Sequence, residues 1–177
     1  ESFLYLTLIR EWIKESQNLI PEFLDEIIYN LGTSFYFINE NFSQIPLFNG
    51  SSQLNNEELK THLKNSGYLF KYNLNEKGGY YILKHKKISL IMDIGNSAEK
   101  YFSNKYQFGC LSFEIVSGNN KLICNSGFYS QKNNKNKLIK LCKSTAAHST
   151  LYLNNDSSCT LNKSNIKLGL KIINKKI

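Results

Sequence analysis

The sequence predicts an α+β protein in which a helical first third gives way to an antiparallel β-sandwich. Three observations carry that prediction. Apolar residues in the first third recur at helical spacing, the period changes to two after Ser66-Gly67, and turn residues punctuate the remainder at short intervals. A hydrophobic share of 41% over 177 residues suffices for a sizeable core, and 13% aromatic residues argue against disorder.

Leu4, Leu8, Ile9, Trp12 and Ile13 mark a first helix, and Phe23, Leu24, Ile27, Ile28 and Leu31 a second. Pro21-Glu22 suits the first turn of that second helix, and Gly32 is expected to stop it. Over 33–56 the pattern breaks into aromatic and turn residues, including Pro46 and Asn49-Gly50-Ser51-Ser52. A short amphipathic helix is expected over 56–63, with Glu57 and Glu58 near its positive N-terminal end and Lys60 and Lys64 later.

Strands are expected over 67–72, 79–84, 88–94, 110–117, 121–125, 150–153 and 166–172. Turn signals separate them, among them Asn75-Glu76-Lys77-Gly78 and Ser117-Gly118-Asn119-Asn120. The chain opens at Glu1 directly on an apolar helical pattern and closes on a strand-like run with no partner after it. It therefore reads as a segment of a longer protein.

The formal net charge of +8 favours an anionic partner. Nucleic acid is not the expected one, because the lysines are scattered among asparagines and no P-loop, zinc-finger spacing or RNP-like motif accompanies them. The four cysteines, Cys110, Cys124, Cys142 and Cys159, form no CxxC or CxH pattern, and sequence does not rank their three pairings. Free thiols are expected, with Cys110 and Cys124 acting as small hydrophobes. No uninterrupted apolar stretch reaches about 18 residues, so no membrane span is expected.

Imidazole chemistry has few places to reside, since the chain carries three histidines. His62 is expected in solvent beside Lys60 and Lys64, and His85 at a basic hairpin tip. His148 lies between small residues in Ser144-Thr145-Ala146-Ala147-His148-Ser149-Thr150, ahead of an alternating run. Read locally, it is a packing histidine at a strand entrance. Glu114 shares a strand face with Ser112 but has no acid/base partner in sequence, and is assigned no role.

The order of several segments resembles a known family. Gly79-Tyr80-Tyr81-Ile82-Leu83 and Ser89-Leu90-Ile91-Met92-Asp93-Ile94-Gly95 lead to Gly109-Cys110-Leu111-Ser112-Phe113-Glu114. Leu122-Ile123-Cys124-Asn125-Ser126-Gly127 and the His148 stretch follow. Together they look like the C-terminal domain of heparinase II/III-like proteins. Leu47-Phe48-Asn49-Gly50 is similar to the linker that leads into that domain.

The resemblance implies the end of an (α/α) toroid and its linker over 1–64, and the N-terminal part of a β-sandwich over 65–177. It implies β-elimination of uronic-acid-containing polysaccharide, so an acidic polysaccharide is the expected partner. That chemistry neutralises the uronate carboxylate, removes the C5 proton and protonates the leaving 4-oxygen, usually with Tyr and His. The family's tyrosine and neutralising group come from toroid helices, expected before Glu1.

The family's His-x-His-x-Asp-like segment falls on Lys105, Gln107 and Gly109, and its later aspartate on Asn125. The first family histidine serves catalysis and the second a structural metal, so Lys105 occupies a degenerate catalytic position. Gln107, Asn125 and His148 occupy a degenerate metal site. Zinc is not expected, because one imidazole and two neutral amides make a poor donor set. A hydrogen-bonded substitute for the metal, built from Gln107, Asn125 and His148, is expected instead. Tyr106 and Tyr129 are candidates to line a saccharide groove. The alternative is a non-catalytic member of the fold that binds anionic glycan. For location, the family implies the periplasm or cell envelope, whereas free thiols point to a reducing interior.

Overall fold

The computed structural model describes residues 2–42, 44–51, 56–72, 75–97, 106–127, 136–152, 157–158, 160–162 and 165–167. Lys105, Tyr129 and Cys159 lie outside them. The protein is α+β, as expected, and divides into two compact units: residues 1–41 with 54–74, and residues 42–53 with 75–177.

The helical unit contains α1 (Ser2–Glu15), α2 (Glu22–Asn39) and α3 (Glu57–Asn65). Pro21 precedes α2 in extended conformation, consistent with its fixed φ and missing N–H. The acidic start and basic end of α3 complement its dipole. Leu24, Ile28, Leu63 and Phe70 form the buried core. Trp12 and Phe23, both 63% exposed, face outward, so the apolar periodicity of these helices exceeds what this core buries.

Gly32 does not stop α2, which runs on to Asn39. A Cβ on Gly32 would stand 2.2 Å from Cε1 of Phe70, so its role is close packing rather than termination. Residues 67–72 form no strand; their aromatic side chains pack inside the helical unit instead. Tyr68 stacks on Phe70 with ring centroids 5.8 Å apart, and Tyr72 meets Phe37 edge-on at 5.3 Å. His62 also departs from the expectation of simple exposure. The Thr7 hydroxyl donates to the Leu4 carbonyl at 2.7 Å, so it accepts from His62 Nε2 at 3.0 Å.

The β unit holds a five-stranded antiparallel sheet: β1 (Glu76–Lys77), β2 (Tyr80–His85), β3 (Ile88–Asp93), β4 (Phe113–Ser117) and β5 (Asn120–Ile123). The strands follow one another as neighbours: two-residue turns join β1 to β2, β2 to β3 and β4 to β5, whereas β3 and β4 are separated by residues 94–112. Register places Ile82 beside Ile91 and Ile91 beside Glu114 on the buried face. Leu83, Leu90, Ile115 and Ile123 align on the opposite face, where Leu83 is 51% exposed. His85 is exposed at the β2–β3 hairpin.

Segment 42–53, grouped by sequence with the helices, is tied to this sheet. Gln44 Nε2 donates to the Asn119 carbonyl at 3.3 Å, and Asn49 Nδ2 to Asp93 at 2.8 Å. Asn49-Gly50 turns with φ of 48° and 80°, as an Asn-Gly pair allows.

The expected strand at 150–153 is absent over its described part, residues 150–152. A 3₁₀ turn (Thr145–Ala147) precedes it, and the local backbone is held by single bonds rather than a ladder: Phe113 N–H to the Ser149 carbonyl, 3.0 Å, and Thr150 Oγ1 to the Cys110 carbonyl. Sequence reasoning also missed α4 (Asn136–Lys143) within the lysine- and asparagine-rich stretch, and β6 (Thr160–Asn162), which pairs with β7 (Asn165–Lys167). Among the described residues, no helix is long and apolar enough to cross a membrane. Among the described residues Cys124 and Cys142 are free thiols, and Cys124 is exposed rather than serving as a core hydrophobe.

Candidate functional site

Strand alternation decides which side chains of β4 go inside. Glu114 and Val116 point to the buried face, and Glu114 is 0% exposed. A carboxylate there needs compensation, because removing a charge from water is costly without paired and hydrogen-bonded partners. Lys121, on the facing strand β5, places Nζ 2.9 Å from Glu114 Oε2 and donates to the Ile45 carbonyl at 2.8 Å. Glu114 Oε1 accepts the Leu47 N–H at 2.9 Å and the Asn125 N–H at 3.0 Å.

Glu114 also orients Asn125. The donor end of that amide, Nδ2, lies 3.4 Å from Glu114 Oε1, which turns Oδ1 away to accept the Ser149 N–H at 3.0 Å. Asn125 is 2% exposed and spends both ends of its side chain in this way. Gln107, equally buried, donates Nε2 to the Gly127 carbonyl at 2.7 Å. Its Oε1 has no hydrogen-bond partner among the described residues.

His148 follows the 3₁₀ turn in extended conformation, half-buried. Its Nε2 is buried without a partner among the described residues. Burial holds its pKa below the usual imidazole value, and a backbone hydrogen bond at Cys142 pulls weakly the other way. The ring lies over Gly109: a Cβ at that position would stand 3.1 Å from His148 Cγ and 2.9 Å from Ser112 Oγ. The space that an aspartate at 109 would need is therefore taken by His148 and Ser112.

The expected direct bonding among Gln107, Asn125 and His148 is not the observed arrangement. Each amide instead bonds the backbone of a neighbouring segment, and Asn125 reaches the residue after His148. Tyr106, a candidate groove residue, is 5% exposed. It packs with Phe108 and Cys110 and donates its hydroxyl to Ser97 at 3.1 Å. Lys105 and Tyr129 lie outside the described residues, so the structure does not place either relative to His148.

The residue of this cluster whose part the sequence did not reveal is Glu114. The available signal was its position on the apolar face of a strand, where a carboxylate implies a buried cation, with Lys121 at matching parity on the next strand.

The zinc that the fold family implies does not fit these side chains. Asn125 is consumed, Gly109 has no donor, and Gln107 Oε1 and His148 Nε2 leave one neutral oxygen and one nitrogen. Structural zinc takes four strong donors. Among the described residues, no three His, Cys, Asp or Glu side chains are grouped to hold a metal ion.

Residues 71–169, more than half of the 177, match the heparinase II/III-like C-terminal domain. Among solved structures, the chain is similar to heparan sulfate lyase HepC from Pedobacter heparinus, with 17% identity and a TM-score of 0.63 over 88% of this chain and 28% of that one. It is similar to a heparinase III gene product, with 14% identity and a TM-score of 0.62 over 78% of this chain and 25% of that one. Another heparinase III structure gives 17% identity and a TM-score of 0.54, over 82% and 29%. The chain thus spans under a third of the length of these solved chains, and the likeness is one of fold. No curated protein matches it. With its domain matched over 71–169, the chain belongs to the heparinase II/III-like family.

Proposed function

We propose that the protein is a polysaccharide lyase of the heparinase II/III-like type, acting on uronic-acid-containing polysaccharide by β-elimination. The family match over residues 71–169 is the observation that carries this reading. In the reaction, a base takes the C5 proton of the uronate while its carboxylate is neutralised. The electron pair forms the C4–C5 double bond, and the 4-oxygen leaves with a proton from an acid. Lys105, in the place of the family's catalytic histidine, supplies an ammonium that can pair with the uronate carboxylate. The net charge of +8 supports an anionic polymer as substrate.

A second reading has a specific observation in its favour. Gln107 and Asn125 are neutral and engage the backbone, which suits a non-catalytic member of the fold that binds anionic glycan. Incubation of the protein with heparan sulfate, alginate and other uronate polymers separates the two. A lyase raises absorbance at the unsaturated-uronate band, and Lys105→Ala slows that rise. Glycan binding with no rise on any polymer overturns the lyase reading in favour of the second.

A further inference from the structure

We infer that the loops at 107, 124–127 and 148–149 are joined by a metal-free amide staple, which takes over the cross-linking role of the family's zinc. This rests on family membership and not on lyase activity, so a protein inactive on every polymer leaves it intact.

Three observations carry the inference. The segments a metal at 107, 125 and 148 would connect are already connected by side-chain-to-backbone bonds. Gln107 Nε2 reaches the Gly127 carbonyl at 2.7 Å, Asn125 Oδ1 receives the Ser149 N–H at 3.0 Å, and Ser149 Oγ donates to the Cys124 carbonyl at 3.3 Å. The Gln107 bond is buried and the Asn125 bond partly so, where a satisfied polar network is strong and a broken one costly, while the Ser149 Oγ bond is exposed.

Second, the amide at 125 is dictated by its surroundings. Glu114 Oε1, which already accepts the Leu47 and Asn125 N–H groups, faces the side chain from one side and favours a donor over a second carboxylate; the Ser149 N–H takes an acceptor on the other, and asparagine offers one of each. An aspartate would set a second carboxylate oxygen 3.4 Å from Glu114 Oε1, with Lys121 already engaged by Glu114. Two buried carboxylates so close call for a further cation, such as a metal ion. Asparagine removes that requirement.

Third, position 109 is closed to a ligating side chain by His148 and Ser112. The packing there is adapted to glycine. The residues at 107, 109 and 125 are therefore mutually consistent: glycine at 109 leaves room for the His148 ring, and Gln107 and Asn125, both at ligand positions, each supply a hydrogen bond instead.

The test uses the full chain, expressed with zinc in the medium. Elemental analysis is expected to find zinc well below one ion per chain, and EDTA is expected to leave Tm unchanged. Asn125→Asp, measured in EDTA, is expected to lower Tm by roughly 4–8 °C, through lost hydrogen bonding and added repulsion. Failure of this variant to fold supports the same conclusion, and chelation of the unaltered chain remains decisive. Stoichiometric zinc whose removal lowers Tm overturns the inference. So does an Asn125→Asp protein as stable in EDTA as the original.

Discussion

Glu114 and Lys121 form an ion pair at 2.9 Å across β4 and β5, with the carboxylate wholly out of solvent and the lysine side chain 10% exposed. The pair does more than cancel charge. Through Leu47 and Ile45 it fastens segment 42–53 to the sheet, and through Asn125 it orients the amide that receives Ser149. Paired groups in this setting contribute little relative to a well-packed apolar pair, yet removing one partner strands the other.

Glu114→Gln should therefore destabilise the protein by about 3–5 kcal/mol, since Lys121 keeps its charge and loses its counterion. Lys121→Met should cost a similar amount for the converse reason. Urea unfolding of both variants checks this. A loss below about 1 kcal/mol, the range of an exposed pair, would show that water reaches Glu114 and Lys121.

Gly109→Ala tests the closeness of His148. The added Cβ meets His148 Cγ at 3.1 Å and Ser112 Oγ at 2.9 Å, so the ring or the loop must move. Overpacking of this kind costs about 1–3 kcal/mol. The imidazole resonances of His148 should shift with the loss of stability; an unshifted spectrum at full stability would contradict the contact.

Gly32→Ala sets helix propensity against packing. Alanine within α2 gains about 1 kcal/mol from propensity. The new methyl would sit 2.2 Å from Phe70, whose ring is hemmed in by Phe3, Tyr29, Tyr36 and Tyr68. Packing should win and Tm should fall. Phe70→Ala should remove the obstacle, so that Gly32→Ala becomes neutral or stabilising in that background. A higher Tm for the single variant would mean that Phe70 does not occupy this space.

Tyr80 supplies a pH dependence. Burial, then the charge of Asp93, pushes its hydroxyl up to about 12. The folded state thus resists losing this proton more than the unfolded chain does. The associated stability is complete below the ordinary tyrosine value near 10 and is lost as pH rises from there through about 12. Tyr80→Phe should remove this loss, flattening stability above pH 10, while costing little at neutral pH because the Asn49 contact is long at 3.4 Å. Denaturant titrations at pH 8 and pH 11 check it; an equal decline in both proteins would rule Tyr80 out as the cause.

Local periodicity made much of the fold legible. The alternation in 79–94 and 110–125 and the turns between them correspond to β2 through β5, because a half-buried strand must alternate and a hairpin needs residues that tolerate its turn. Residues 67–72 show the limit of that reading. Tyr68, Phe70 and Tyr72 alternate as a strand would, yet partners in α1 and α2 take the rings and no ladder forms. Gly32 failed as a stop signal for a related reason: its lack of a side chain is used by a ring almost forty residues away.

At the candidate site, the sequence by itself determined which chemistry is present: neutral amides at 107 and 125, no side chain at 109, and an imidazole at 148. Those identities follow directly from the residues, and the order of the surrounding segments pointed to the family. Tertiary structure alone decided what the residues do. It turned Glu114 inward, brought Lys121 to it, and spent Asn125 on Glu114 and Ser149 instead of on His148. The physical reason is that hydrogen-bond partners are assigned by distance and burial across the sheet, and those belong to pairs of segments far apart in the chain.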